Sequence, residues 1–366
     1  MFYRTNKTYQ TLKVEFMKQH LTINDDIILE PDKRNDKDNH SKDVTLLSQY
    51  WVESSGPTTW KTLEKYKNKA IILNGLFMLY WLIRLRKQFF LSLVVLILST
   101  LNFGFFIKLN NATSESREKE SIRLLSYNVR LFNYYEAKEK RKEAPEKFET
   151  IVREINPDLL FIQAFKEEKD MEFSAYPYKY VDYNDSKKLF GHAIYSKYPI
   201  INQGAFSFEQ SNNNALWADV KIAEDTIRIY NVHLQSMRII AKVAYIQETG
   251  TDFIKNKISY AFVKQERQVR LLRKHMEASP HKNIIVAGDF NNTPFSYNYK
   301  KLKGDMKDAF LEKGSGIGTT FYFDGFPLRI DYILVSPNVK VKQFHTVKET
   351  FSDHQAIWAD IDLNTP

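Results

Sequence analysis

The sequence predicts an α+β layered domain preceded by one or two membrane spans. Three observations carry that prediction. Apolar strand-like runs alternate with polar loops from Ser121 onward, two longer amphipathic segments interrupt them, and two apolar blocks lie between Ala70 and Ile107. A chain of 366 residues exceeds what one small core needs, so a domain of roughly 250 residues plus a further segment is the natural division.

The first 69 residues form a polar N-terminal segment, and "EPDKRNDKDNHSKD" (Glu30 to Asp43) is too hydrophilic to offset its ordering entropy by burial. Helical periodicity in "TYQTLKVEFMKQHL" leaves a small charged helical region as the alternative there. Residues 70–110 read as a membrane anchor. Its strong block, "FFLSLVVLILSTLNFGFFI" (Phe89 to Ile107), runs 19 residues without a charge, enough to span about 30 Å of hydrocarbon. The earlier block, "AIILNGLFMLYWLI" (Ala70 to Ile83), is short for a span and suits a tilted or interfacial helix. "RLRK" (Arg84 to Lys87) abuts the strong block, and the positive-inside rule puts it in the cytoplasm with residues 111–366 outside.

Charge supports the same division. Residues 111–366 hold 37 Lys+Arg against 34 Asp+Glu, leaving 16 against 10 for the first 110, so most of the formal +9 is N-terminal. The basic balance is therefore poor evidence for a nucleic-acid partner. With no cysteine, disulfides and thiol catalysis are excluded. No Gly-rich phosphate cradle and no internal repeat occurs.

Within 111–366 the predicted strands are "IRLLSYNVRLF", "DLLFIQ", "GHAIYSKYPI", "ALWADVKI", "TIRIYNVHL", "NIIVAGDF", "RIDYILV" and "QAIWADIDL". Helices are expected at Lys138–Ile155 and across Ser236–Met276. Four polar clusters fall at strand ends: Asn128 in "SYNVRLFN"; Asn231 and His233 in "YNVHLQS"; Asp289, Asn291 and Asn292 in "VAGDFNNTP"; and Asp331 in "RIDYILV" with Ser352, Asp353 and His354 in "FSDHQAIWADI". Singly, a strand-end Asn is a turn former and "SDH" a cap. Together they form an inventory suited to phosphoryl chemistry. Carboxylate and carboxamide oxygens hold a hard divalent cation, a His paired with Asp supplies a proton or a transition-state contact, and Asn donors fix phosphate oxygens.

These motifs, in this order, resemble the endonuclease/exonuclease/phosphatase superfamily with its DNase I-like fold, over about Ser121 to Leu363. The apolar lead further resembles a membrane-anchored bacterial branch of that family. The resemblance implies a four-layer αββα sandwich with its site at one end of two facing sheets. It also implies a Mg²⁺- or Mn²⁺-dependent phosphoesterase. Asn128 and Asp353 would lie in the metal shell. Asp289 would orient or deprotonate the attacking water, and Asn291 would contact the transferring phosphoryl group. His354, held by Asp331, and His233 would stabilise the pentacoordinate transition state. Asn231, Asn292 and Gln163 complete the expected site as substrate contacts.

One position departs from the family pattern. The strand "DLLFIQ" normally ends in Gln-Glu, that Glu being the main metal-binding carboxylate, whereas Gln163 is followed here by Ala164. Weaker cation affinity is the direct expectation. Three readings remain open: a weakened enzyme, rescue by Glu167 or Glu168, and a pseudoenzyme that binds a phosphorylated ligand or acts as an anchored scaffold. Candidate substrates are a lipid headgroup, nucleic acid or a small molecule. Residues 236–270, with seven Lys or Arg against three acidic residues, suit either a packed amphipathic helix or contact with anionic headgroups. No obligate protein partner is evident.

Overall fold

Alternation of apolar side chains builds two sheets. The computed structural model describes residues 73–100, 108, 121–168, 171–183, 189–209, 211 and 213–363. In chain order the strands are β1 (Ile122–Asn128), β2 (Leu159–Phe165), β3 (Tyr178–Tyr183), β4 (Gly191–Ser196), β5 (Ile200–Ser207), β6 (Asn214–Ile222) and β7 (Asp225–His233). They continue as β8 (Asn283–Asp289), β9 (Lys307–Asp308), β10 (Phe321–Phe323), β11 (Phe326–Leu328), β12 (Asp331–Val335), β13 (Lys340–Thr346) and β14 (Ile357–Asp362). The helices are α1 (Phe89–Thr100), α2 (Lys138–Ile155), α3 (Val243–Thr249), α4 (Thr251–Glu277), α5 (Tyr297–Lys303) and α6 (Ala309–Lys313).

One sheet runs β13-β14-β1-β2-β4-β3 and the other β5-β6-β7-β8-β12-β9, while β10 and β11 form a separate hairpin. Because successive strand residues face opposite sides, Leu124 and Phe161 of the first sheet meet Leu216, Ile229 and Ile285 of the second in a shared core. Their neighbours Leu125 and Leu160 point outward and pack under Phe148 and Ile151 of α2. On the far side Tyr230, Val232 and Val286 pack under Val269 and Leu272 of α4 and Leu302 of α5. The layers are thus helix, sheet, sheet, helix, an α+β sandwich of two mixed sheets.

Three sequence expectations change. The helix expected across Ser236–Met276 begins only at Val243 and breaks at Gly250, whose φ of 80° lies in the left-handed region, so residues 236–242 form a loop instead. Strand β2 is not regular to its end: its pairing with β4 shifts between Ile162 and Phe165, where Ala164 adopts a φ of 46°. Third, among the described residues no helix is long and apolar enough to cross a membrane. The 12 residues of α1 rise about 18 Å, short of a bilayer core. The rest of the strong apolar block, 101–107, lies outside the described residues, as do 1–69; from the earlier block, 73–83 are helical.

Register places the chemistry. His233 on β7 lies beside Asp289 on parallel β8, and Asp289 lies beside Asp331 on antiparallel β12, so three adjacent strands end in one row of polar residues. Gly288 allows this close pairing, since its φ is 141° and a Cβ there would stand 1.9 Å from the Val232 carbonyl oxygen. Gly288→Ala is therefore expected to cost about 3 kcal/mol of stability, read as a lowered urea midpoint for the full chain; an unchanged midpoint would contradict the packing described.

Candidate active site

Four nitrogen atoms surround one carboxylate oxygen. Asp289 Oδ2 accepts hydrogen bonds from Asn128 Nδ2 at 2.9 Å and from Asn291 Nδ2 at 3.0 Å. The Nε2 atoms of His233 and His354 stand 3.4 and 3.7 Å away. The other oxygen, Oδ1, accepts the Asn291 backbone N–H at 2.7 Å, an Asx turn that holds Asn291 at a φ of 50°. These residues come from both sheets and three loops.

The loop carrying "SDH" is tied down from several sides. Ser352 Oγ donates to the Asn128 carbonyl at 2.8 Å, and Asn133 Nδ2 donates to the Phe351 carbonyl at 2.8 Å. Gln355 N–H donates to the Thr320 carbonyl at 2.7 Å, while Thr320 Oγ1 accepts the Asp331 N–H at 3.1 Å. His354 Nδ1 then meets the Asp331 carboxylate at 3.0 and 3.2 Å. The ring of Phe321, on the β10–β11 hairpin, packs against His354 at 5.1 Å.

Burial and charge set the protonation states. Burial pushes the Asp289 carboxyl up to about 7, opposed by the His354 charge and reinforced by Asp331. Burial alone would lower His354, but the carboxylates of Asp331 and Asp289 outweigh it and hold the imidazole up at about 10. His233 is driven well below its ordinary range by burial, with His192 and His354 adding to the effect. Near neutral pH the site therefore combines a charged His354, a neutral His233 and a carboxylate poised to exchange a proton.

These groups open onto a cavity of about 350 Å³ lined by Asn128, Arg130, Ala164, His233, Asp289, Asn291, Asp353 and His354, among others. Seven of the ten predicted site residues belong together: six line the cavity, and Asp331 stands behind His354. The other three do not line it, which corrects their expected contact with substrate. Gln163 and Asn231 are fully buried and bond to each other at 2.7 Å, and Asn231 Nδ2 also donates to the Ile162 and Ala193 carbonyls. Together they stitch the sheets behind the site. Asn292 is spent on Gln265 Oε1 at 2.8 Å and on the Thr293 N–H.

Ala164 faces the cavity, but Glu167 and Glu168 line a different one with Met171 and Phe173. Glu168 is paired with Lys166 at 2.7 Å. Neither acid approaches the gap, which removes the rescue reading. Sequence reasoning missed Arg130, whose Nε lies 3.5 Å from Asp353 Oδ2 and whose Nη2 pairs with Glu136 at 2.9 Å. It opens a left-handed turn, Arg130 to Asn133, with φ between 47° and 56° throughout. Such backbone costs roughly 1–2 kcal/mol per residue, and it aims this arginine at the site. Arg238 and Tyr135 at the cavity wall were also missed, as was buried His192 behind it. A histidine inside the apolar strand "GHAIYS" was the available signal for the last.

The profile of the endonuclease/exonuclease/phosphatase family matches residues 125–354. The chain belongs to that family. No curated protein matches the sequence. Among solved structures, the family protein from Bacteroides vulgatus is 19% identical, with a TM-score of 0.52 over 67% of this chain and 100% of its own. The mannosyl-6-phosphatase of Bacteroides thetaiotaomicron is 19% identical, with a TM-score of 0.50 over 66% and 100%. D. rerio TDP2 in complex with single-strand DNA product is 16% identical, with a TM-score of 0.50 over 67% and 100%. At these identities the likeness is one of fold.

Among the described residues, Asp289, Asp331 and His354 form the one His/acid group whose ligand atoms all lie within 4.8 Å, and the His354–Asp331 hydrogen bond accounts for part of that closeness. Because His354 is raised above its ordinary 6.5, its contribution to stability is fully present below pH 6.5 and is lost as pH rises through about 10. Asp331→Asn removes the leading cause of that rise. The His354 imidazole, followed by NMR, should then titrate well below the parent value; an unmoved titration would contradict the pairing.

Proposed function

We propose that the chain is a divalent-cation-dependent phosphoesterase with a thinned metal shell, anchored at a membrane with residues 111–366 on the extracytoplasmic side. The convergence of Asn128, Asn291, His233 and His354 on Asp289 carries the catalytic part of this reading. The uncharged block 89–107 and its flanking "RLRK" support the anchor.

The donor set suits a hard cation, since the cavity wall offers the Asn128 carboxamide oxygen and the Asp353 carboxylate, and the Asp353 side chain is 44% exposed and within reach of a ligand. Asn128 and Asp353 would hold Mg²⁺ or Mn²⁺, which would polarise a phosphoryl oxygen. The protein's own groups supply the rest. Asp289, raised by burial, takes the proton of the attacking water. His354, charged at neutral pH and fixed by Asp331, stabilises the negative charge that builds on the phosphoryl oxygens. His233 and Asn291 add neutral donors beside it. Arg130 brings a cation toward the position that Ala164 leaves without a carboxylate.

The substrate class is a phosphodiester or phosphomonoester: a lipid headgroup, nucleic acid or a small molecule. The second reading, a pseudoenzyme that binds such a group without cleaving it, is favoured by one observation: Ala164 faces the cavity and no nearby acid replaces the missing ligand.

Hydrolysis of bis-p-nitrophenyl phosphate by the full chain with Mn²⁺ tests the reading. Asp289→Ala and His354→Ala should each lower kcat about 100-fold or more, whereas Glu167→Gln and Glu168→Gln should leave it unchanged. Parent activity no greater than that of both alanine variants would sink the enzyme reading in favour of the pseudoenzyme. Calorimetric titration should show tighter Mn²⁺ binding in Ala164→Glu than in the parent. Equal affinity would remove Ala164 as the cause of a weak metal site.

A further inference from the structure

Behind the catalytic row lies a second histidine that the chemistry above does not use. His192 on β4 is fully buried, and its Nε2 lies 3.2 Å from His233 Nδ1. The contact crosses between the sheets, because β4 belongs to the first and β7 to the second. The far nitrogen of His192, Nδ1, is buried without a hydrogen-bond partner. Burial disfavours charge on both rings, holding His192 down at about 3 and His233 well below its ordinary range. One proton must therefore be shared across the 3.2 Å contact, and two arrangements exist.

In the first, His192 Nε2–H donates to His233 Nδ1. His233 then carries its proton on Nε2 and points it at Asp289 Oδ2, 3.4 Å away. The unpartnered atom of His192 is a bare lone pair. In the second, His233 Nδ1–H donates to His192 Nε2. That arrangement faces the bare Nε2 of His233 with the Asp289 carboxylate and leaves a buried N–H on His192 Nδ1 with nothing to accept it. Orphaned buried N–H groups are rarer than under-used acceptors, and a lone pair facing a carboxylate is repulsive. Both effects select the first arrangement.

We infer that His192 is a positioning residue that fixes His233 as the Nε2–H tautomer, so that the site presents a neutral donor there. What that donor serves, a phosphoryl oxygen in the cavity, rests on the phosphoesterase reading; the tautomer does not. A carboxylate in place of His192 would favour a charged His233, whereas a neutral imidazole orients the ring without charging it. The site then carries one permanent cation, His354, and one neutral donor.

The test is a two-bond ¹H–¹⁵N correlation spectrum of the full chain labelled only at its eight histidines. In the unmutated protein the expected result is a protonated Nε2 and bare Nδ1 on His233, with coupling across the hydrogen bond to a proton that belongs to His192. A proton on His233 Nδ1 overturns the assignment, and this measurement needs no variant to fold. In His192→Leu the exclusive Nε2–H signature of His233 should be lost and kcat should fall about tenfold with KM little changed, while His192→Gln, which keeps an N–H donor, should restore both. An unchanged His233 tautomer in His192→Leu would also overturn the assignment. An inert parent with the expected tautomer would sink the phosphoesterase reading and leave the role of His192 standing.

Discussion

Asp289 Oδ2 is the atom on which the site depends. A carboxylate that is 1% exposed needs donors close by, and Asn128, Asn291, His233 and His354 supply them from separate parts of the chain. Each donor is in turn held by a further group: Asn128 by the Arg130 N–H, Asn291 by the Leu234 carbonyl, His354 by Asp331, His233 by His192. The result is a small polar core in which one displaced group would leave another without its partner. Solvation alone cannot satisfy Asp289 at this depth, so the fold must bring these pieces together before the carboxylate can be ionised at modest cost.

The sandwich does this by aligning strand ends rather than by building a long loop. His233, Asp289 and Asp331 are register neighbours on β7, β8 and β12, so backbone pairing fixes their spacing. Asn128 comes from the facing sheet, and the Gln163–Asn231 bond holds the two sheets together just beneath it. Those two carboxamides bond across a layer that is otherwise apolar, where unmade hydrogen bonds are costly and made ones specify a single alignment. The more mobile chemistry, proton exchange at Asp289, thus sits on a rigid base.

Much of this was legible in the sequence. Polar clusters closing apolar runs located Asn128, His233, Asp289, Asp331 and His354, because the period-2 pattern marks where each strand ends. Helix α2 begins and ends where periodicity places it. What was hidden depends on partners brought in from elsewhere. Nothing local distinguishes an amide that meets substrate from one like Asn231 that meets two carbonyls of the opposite sheet. His192 reads as a strand residue until the second sheet is laid over it. The turn at Arg130 to Asn133 contains no glycine, the usual sign of left-handed backbone, and so gives no warning. The break at Gly250 was visible, but helical periodicity on both sides of it outweighed a single glycine.

The first sheet has a consequence for how the chain matures. Strand β1 lies between β2 and β14, so the strand that opens the domain is flanked on one side by the last strand to be synthesised. Closing a loop of more than 200 residues is slow compared with local pairing. On the ribosome, β1 and β2 can pair early, but Asn128 meets Asp353 and His354 only after residues 357–362 have emerged. A nascent or C-terminally clipped chain would therefore carry most of a folded scaffold and no assembled centre. Phosphoryl chemistry is in that sense withheld until synthesis is finished.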